Sequence, residues 1–345
     1  MVSSLRMFGS LFAAIVIFLI GNSLLNTLVS TRLAMGGYSP ITTGVVLSSY
    51  YTGLLVGSFV CQGLIQGIGH IRAFAVFGAI TTATTLLYGL YLSPWFWIFL
   101  RFSSGITSFG LFMVIESWLN ECSEQHLRGR VFSIYMTLSY TGIAIGQQLL
   151  NLSDVTGQGL FIIAGVVFSL SLVPVSATRG VHPKLPETKP YKFMEIFRKA
   201  PLGMMGCLAA GLTNSTFYTM VPVYCTNIGL SLSQLSFIMS LTVFCGLAAQ
   251  WLVGSLSDQF DRTMVLALIA IAVTVVSALM LLNGDSSFAE LAVGMGFFGA
   301  LAFAIYPVSV ARAHDVFGGQ DAVAVSTGLL FSYSVGACIL SLIHI

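Results

Sequence analysis

Two ionisable residues interrupt one long apolar run of this chain: Arg101, in RFSSG, and Glu116, in IESWLN. If the run is helical, the fifteen residues between them correspond to about 22 Å, so they cannot pair and each needs its own partner. A guanidinium one to two turns inside one end of the run can bind an anionic group of a solute, act on a proton site, or snorkel outward along its apolar stem. Glu116 lies about one turn inside the other end, and no other carboxylate sits as deep in an apolar run. A carboxyl shielded from water is suited to taking up and releasing a proton. It is equally placed to be neutralised as a structural latch by Arg72, Arg128 or Arg130, which all fall near the same end.

Uncharged polar residues supply a second set. Asn22 and Asn26 are four apart and therefore share a helix face, and Asn214 and Tyr218 stand at a constant offset of 192 from them. With Tyr306, these amides and phenols suit a neutral or zwitterionic organic solute; hydrogen bonding between helices is the competing use. Gln147, Gln148, Tyr140 and Tyr333 are weaker candidates on the same argument. A third set lies in two turns. One carries Gly254, Asp258 and Arg262; its counterpart carries Gln66, Gly69 and Arg72. An Asp at a helix end can accept from the N–H groups opening the next helix while an Arg one turn away pairs with it, which makes either a gating latch or a plain capped turn. Gln66 cannot form the ion pair, so the first turn must rely on dipoles and hydrogen bonds.

The chemistry of an enzyme is missing. No H-E-x-x-H, G-x-S-x-G or Walker loop occurs, and His70, His126, His182, His314 and His344 are scattered, mostly in expected loops. The six cysteines show no C-x-x-C spacing, so neither a disulfide framework nor a metal site is expected, and no cofactor is implied. Without a nucleotide site, any movement of solute must be gradient-driven or downhill.

The elements that position these residues can be read from composition. Of 345 residues, 56% are hydrophobic and only 8% charged, and the mean hydropathy is +0.93. A water-soluble globule is excluded. The apolar residues fall into eleven runs of about 20, each able to cross a bilayer as a helix: 8–29, 42–65, 73–93, 95–119, 129–151, 158–178, 203–226, 233–256, 262–283, 287–311 and 321–341. Little length remains for a soluble domain, and a net charge of +2 without basic clusters excludes nucleic-acid binding. The first run is too long for the core of a signal peptide. The division expected is a six-helix bundle over 1–178, a polar linker over 179–202, and a second bundle over 203–345.

Orientation is set by the basic residues. Placing the N-terminus in the cytoplasm puts Arg6, Arg72, Arg128, Arg130, Arg179, Lys184, Lys189, Lys192, Arg198, Lys199, Arg262 and Arg312 inside; only Arg32 and Arg101 fall elsewhere. The offset of 192 also relates Ser23 to Ser215, Thr27 to Thr219, Gly37 to Gly229, Ser39 to Ser231 and Ser48 to Ser240, so the halves are repeats of like orientation. A second half equivalent to the first would have six helices where five are found. The expectation is a fragment truncated after its eleventh span, with about 40 to 60 residues missing and non-native sequence after about Leu340.

The parallel halves, the turn Gly254-Ser255-Leu256-Ser257-Asp258-Gln259-Phe260-Asp261-Arg262 and the pair Arg101 and Gly105 resemble the major facilitator superfamily across essentially the whole chain. Asp261 stands where that family's loop motif has its second Gly. Within the superfamily, LNTLV (25–29), SSYYTG (48–53), ESWLN (116–120), RGR (128–130) and FSYSVG (331–336) are similar to the bacterial YcaD-like transporters. The resemblance implies the all-α polytopic fold with two parallel six-helix halves and a mid-membrane cavity lined by the first, fourth, seventh and tenth spans, which carry Asn22, Asn26, Arg101, Asn214, Tyr218 and Tyr306. It implies a secondary active transporter of a small organic solute, with alternating access and proton coupling, acting as a monomer in a bacterial inner membrane. Gly146 is followed by Gln147 rather than the Pro of drug antiporters, which points away from simple drug and proton exchange. The alternative is a non-transporting membrane sensor or scaffold on the same fold, although a linker of about 24 residues offers no effector domain.

Overall fold

The computed structural model describes residues 2–91, 93–123, 128–177, 193–283, 287–317 and 322–343. These are α-helical almost throughout: α1 (Val2–Met35), α2 (Pro40–Ile68), α3 (His70–Leu90), α4 (Pro94–Cys122), α5 (Arg128–Gln148) with a 3-10 turn (Leu149–Leu152), α6 (Gly159–Ser176), the short α7 (Phe193–Lys199), α8 (Pro201–Asn227), α9 (Leu232–Gln259), α10 (Arg262–Leu282), α11 (Phe288–Phe317) and α12 (Ala322–Ile343). No strand occurs among the described residues. In hydrocarbon a backbone must satisfy its own polar groups, and unbroken helices do so within each segment. Linker residues Arg179, Lys184, Lys189 and Lys192 lie outside the described residues, as does the end of LSLIHI.

Among the described residues, eight helices are long and apolar enough to cross a bilayer: α1 to α4, α6 and α9 to α11. The other three of the eleven expected spans, α5, α8 and α12, are helices of 21, 27 and 22 residues. Helix α5 carries Ser139 and Gln147 on its buried side, and α8 carries Asn214, Ser215 and Thr219. These polar residues of α5 and α8 are turned into the protein, whereas α12 is strongly apolar.

The repeat read at an offset of 192 is a repeat of backbone function. Gly37 and Gly229 both adopt left-handed φ, +64° and +79°, at the end of the first helix of their half. Two residues on, Ser39 Oγ accepts from Thr42 N–H at 3.2 Å and Ser231 Oγ accepts from Gln234 N–H at 3.3 Å, so the equivalent serines open α2 and α9.

The chain forms two compact units, Met1–Pro186 with Pro222–Ser236, and Glu187–Val221 with Phe237–His344. In the first, α1 packs along α5 and α6, α2 along α4, and α3 against α4 and α6. A polar suture closes α1 onto α5: Thr27 Oγ1 donates to Gln147 Oε1 at 2.8 Å, Gln147 Nε2 donates to Ser23 Oγ at 2.7 Å, and Ser23 Oγ donates to Ile143 O at 2.8 Å. A Cβ on Gly146 would fall on Ile20 O, so this glycine is a close-packing point. At the far end of α1, Arg32 donates to Gly157 O at 2.6 Å and lies 5.5 Å from the Phe161 ring centroid. In the second unit α10 packs along α11, and Ser332 Oγ on α12 donates to Met204 O on α8 at 2.8 Å. Large apolar side chains face outward, including Trp251 and Leu281, as a lipid-facing surface requires.

Gln147 therefore serves helix packing. Replacing it with Leu strands the Thr27 hydroxyl and is expected to cost roughly 0.5–2 kcal/mol, read as a lower unfolding temperature in detergent, with solute affinity unchanged.

Candidate functional site

Arg101 stands one turn before Gly105 on α4. A Cβ on Gly105 would fall on Tyr50 O, and one on Gly53 would fall on Phe102 O, so α2 and α4 meet backbone to backbone. That approach lays the Tyr50 ring against the guanidinium, 4.8 Å from Cζ to the ring centroid. From α1, Asn26 Oδ1 accepts from Arg101 Nη1 at 2.5 Å. The side chain is 1% exposed, so Arg101 is enclosed and does not snorkel. Its Nε is buried with no hydrogen-bond partner, and among the described residues no carboxylate pairs with it. Asn22, one turn back on the same face of α1, is half-buried and makes no hydrogen bond through its amide among the described residues. The structure thus brings together Asn26 and Arg101 and adds Tyr50, with Asn22 one turn from Asn26 along α1.

Of the second-half candidates, Asn214 donates to the Tyr333 hydroxyl at 3.4 Å, and its Oδ1 is buried without a partner. The Tyr333 ring meets Tyr306 edge-on at 5.3 Å. Tyr218 lies instead in an aromatic stack, parallel to Phe303 at 6.1 Å and edge-on to Phe217 at 4.8 Å. Gln148 is engaged elsewhere, donating to Ser236 O at 3.1 Å beside Asn151, which donates to Ser236 Oγ at 2.8 Å.

Glu116 does not meet the basic partner expected of Arg72, which is exposed. Its Oε1 accepts instead from the Tyr135 hydroxyl on α5 at 3.1 Å. The side chains of Arg128 and Arg130 lie outside the described residues. On the next residue, Ser117 Oγ shares a 3.0 Å hydrogen bond with His70 Nε2, and the His70 ring lies 6.2 Å from Trp118. His70 is thus a buried residue opening α3, not a loop histidine. It comes directly after Gly69, whose φ of +83° reverses the chain between α2 and α3. The first turn is consequently tied to α4 by His70, while Gln66 and Arg72 are exposed.

The second turn is built on charge. Arg262 donates to Asp258 at 3.0 Å, to Asp315 on α11 at 3.0 Å and to Ser257 O at 3.3 Å. It joins the ends of α9, α10 and α11. Asp258 does not cap the next helix, because it belongs to the last turn of α9; Asp261 does, accepting from Thr263 N–H at 2.9 Å. That backbone bond, with the Thr263 hydroxyl, holds the Asp261 carboxyl below its ordinary value. Gly254 sits in α9 with open space where a Cβ would go, so it is not a packing constraint.

A family model described as Major Facilitator Superfamily matches residues 11–341. The chain belongs to the major facilitator superfamily. It is 32% identical over 320 residues to an uncharacterized MFS-type transporter YcaD of Salmonella arizonae, covering 91% of this chain and 82% of that protein. Among solved structures, the nucleoside transporter NupG superposes with a TM-score of 0.75 at 13% identity, over 99% of this chain and 90% of that one. A D-xylose-proton symporter superposes with a TM-score of 0.71 at 14% identity, over 97% and 89% of the two chains. This major facilitator protein is a YcaD-like, multi-pass membrane transporter.

Tyr50, His70, Tyr135 and Asp315 were not singled out by spacing. Tyr50 lies in SSYYTG and His70 beside Gly69, both already marked, but nothing local says which helix each faces. Asp315 is fifty-three residues from Arg262, beyond any local pattern.

With Asp258 72% and Asp315 47% exposed, neither ion pair should contribute much alone. Asp258→Asn or Asp315→Asn is expected to change stability by about 0–1 kcal/mol, with the effect vanishing in high salt when unfolding is followed at two ionic strengths. Because the folded-state value of Asp261 is depressed, its contribution is present at neutral pH and is lost as pH falls through that depressed value. Asp261→Asn should flatten the acid side of a stability-versus-pH profile.

Proposed function

We propose that this protein carries a small organic solute across a bacterial inner membrane by alternating access, acting as a monomer with its N-terminus in the cytoplasm. The observation that carries the reading is the buried Arg101 in the first unit, met by Asn26 and Tyr50 with Asn22 one turn along α1, where a charge is held inside an apolar bundle with binding capacity left unused. Polar groups so placed within membrane helices mark solute paths. NupG is a nucleoside transporter and the xylose protein a proton symporter, so the fold serves organic solutes in both. The division into 1–178, 179–202 and 203–345, with Asn214, Tyr218 and Tyr306 as the second half's contribution, is part of the proposal, and the basic residues of the turns and linker support the orientation.

Proton coupling is assigned to Glu116. A carboxyl within α4, held by the Tyr135 phenol and by no basic group among the described residues, is free to change protonation without breaking an ion pair. Arg262, bridging three helix ends, is the gating element on the second-unit turn.

Solute counterflow in proteoliposomes tests the reading. Saturable exchange is expected; its absence in a folded preparation favours a sensor or scaffold. Glu116→Gln should keep exchange and lose uptake driven by a pH gradient, and full proton-driven uptake in that variant removes Glu116 from coupling.

A further inference from the structure

We propose that the solute is an organic anion, and that its oxyanion group, a carboxylate or a phosphate, docks on Arg101. This rests on the transport reading and names the substrate class of the same site. The argument is one of charge and hydrogen-bonding capacity. Arg101 is a cation sealed from solvent, and the groups that meet it are an amide oxygen from α1, a phenol ring from α2 and the buried Tyr88 phenol from α3, none of them a carboxylate. The acidic residues of the first six helices and their turns are Glu116, Glu121, Glu124 and Asp154. Glu116 is about 22 Å along the same helix, Glu121 and Glu124 lie beyond it in sequence, and Asp154 interacts with Arg32. Among the described residues none pairs with Arg101.

The binding capacity left unused includes an N–H of the charged group itself. Arg101 keeps Nε free, and the side-chain amide of Asn22 makes no hydrogen bond. Asn26 Oδ1 accepts from Arg101 itself and carries no net charge, so it leaves the charge of the guanidinium uncompensated. A buried guanidinium with a free N–H and no carboxylate partner among the described residues matches a group that accepts hydrogen bonds and brings negative charge. A sugar or nucleoside hydroxyl, which donates as well as accepts, would leave the charge uncompensated. Asn26 and Tyr50 serve as resting partners, and the anion completes the site.

The test is thermal unfolding of the full chain in detergent at constant ionic strength with matched solutes: nicotinate against nicotinamide, gluconate against glucose, and glucose 6-phosphate for the phosphate source. Saturable stabilisation by at least one acid, with its neutral partner at least about tenfold weaker, is expected. Gluconate or nicotinate alone identifies a carboxylate, and glucose 6-phosphate alone a phosphate. Arg101→Gln should abolish the preference for the acid, and Arg101→Lys should retain it with affinity about tenfold lower, since a point charge replaces the fork. Asn22→Ala, which removes no existing hydrogen bond, should leave the unliganded unfolding temperature unchanged and weaken the acid several-fold; it carries the test if Arg101→Gln does not fold. Equal binding of acids and neutral partners, retained preference in Arg101→Gln, or no acid binding at about 10 mM overturns the proposal. Acid binding without counterflow would instead remove the transport reading and leave this inference standing, whereas counterflow of neutral solutes alone does the reverse.

Discussion

A guanidinium enclosed within apolar helices is the constraint around which the first unit is arranged. A charge in hydrocarbon costs a few kcal/mol even on lenient scales, so the protein must supply compensation wherever it keeps Arg101. Among the described residues it does so without a carboxylate. The Tyr50 ring and the Asn26 amide approach from two different helices, and each approach has a structural precondition. Tyr50 reaches the guanidinium because Gly53 and Gly105 let α2 lie on α4 with no side chain between them. Asn26 reaches it because a neighbouring face of α1, about 100° round the helix, is sutured to α5 through Ser23, Thr27 and Gln147, which fixes the rotation of α1 and presents its Asn22 and Asn26 face.

This arrangement separates two uses of polar residues that look alike in sequence. Gln147 is buried with its hydrogen bonds made, and holds helices together. Asn22 is half-buried with none, and Asn26 gives its oxygen to a charged group. In a membrane interior, where the alternative to a partner is an unsatisfied polar group, the bonds already made are what distinguish a packing residue from a ligand-facing one.

The two related turns solve the same mechanical problem by different chemistry. The second gathers three helix ends on Arg262, with exposed carboxylates that water and salt can displace at little cost. The first has Gln66 in the acid's place and instead buries His70 against Ser117 and Trp118 of α4, next to Glu116. Exposed ion pairs at one turn and a buried contact at the other make the two turns unequal in their response to salt, although their backbones share one plan.

Much of that plan is legible in the amino-acid order, because it depends on local rules. Span length and apolarity dictate helices across a bilayer, Gly37 and Gly229 are needed where a helix must end left-handed, and Ser39 and Ser231 cap α2 and α9. The 192-residue offset exposes the repeat, and Arg101 and Glu116 stand out because charge is scarce. Only tertiary structure decided what each of them touches. Which of Arg72, Arg128, Arg130 or Tyr135 meets Glu116 depends on the rotation of α5 against α4, and the answer among the described residues is Tyr135. That Asp315 joins Arg262, or that Tyr50 lies on Arg101, depends on which helices become neighbours. Spacing along one helix fixes which residues share a face; it carries no information about the face across from it.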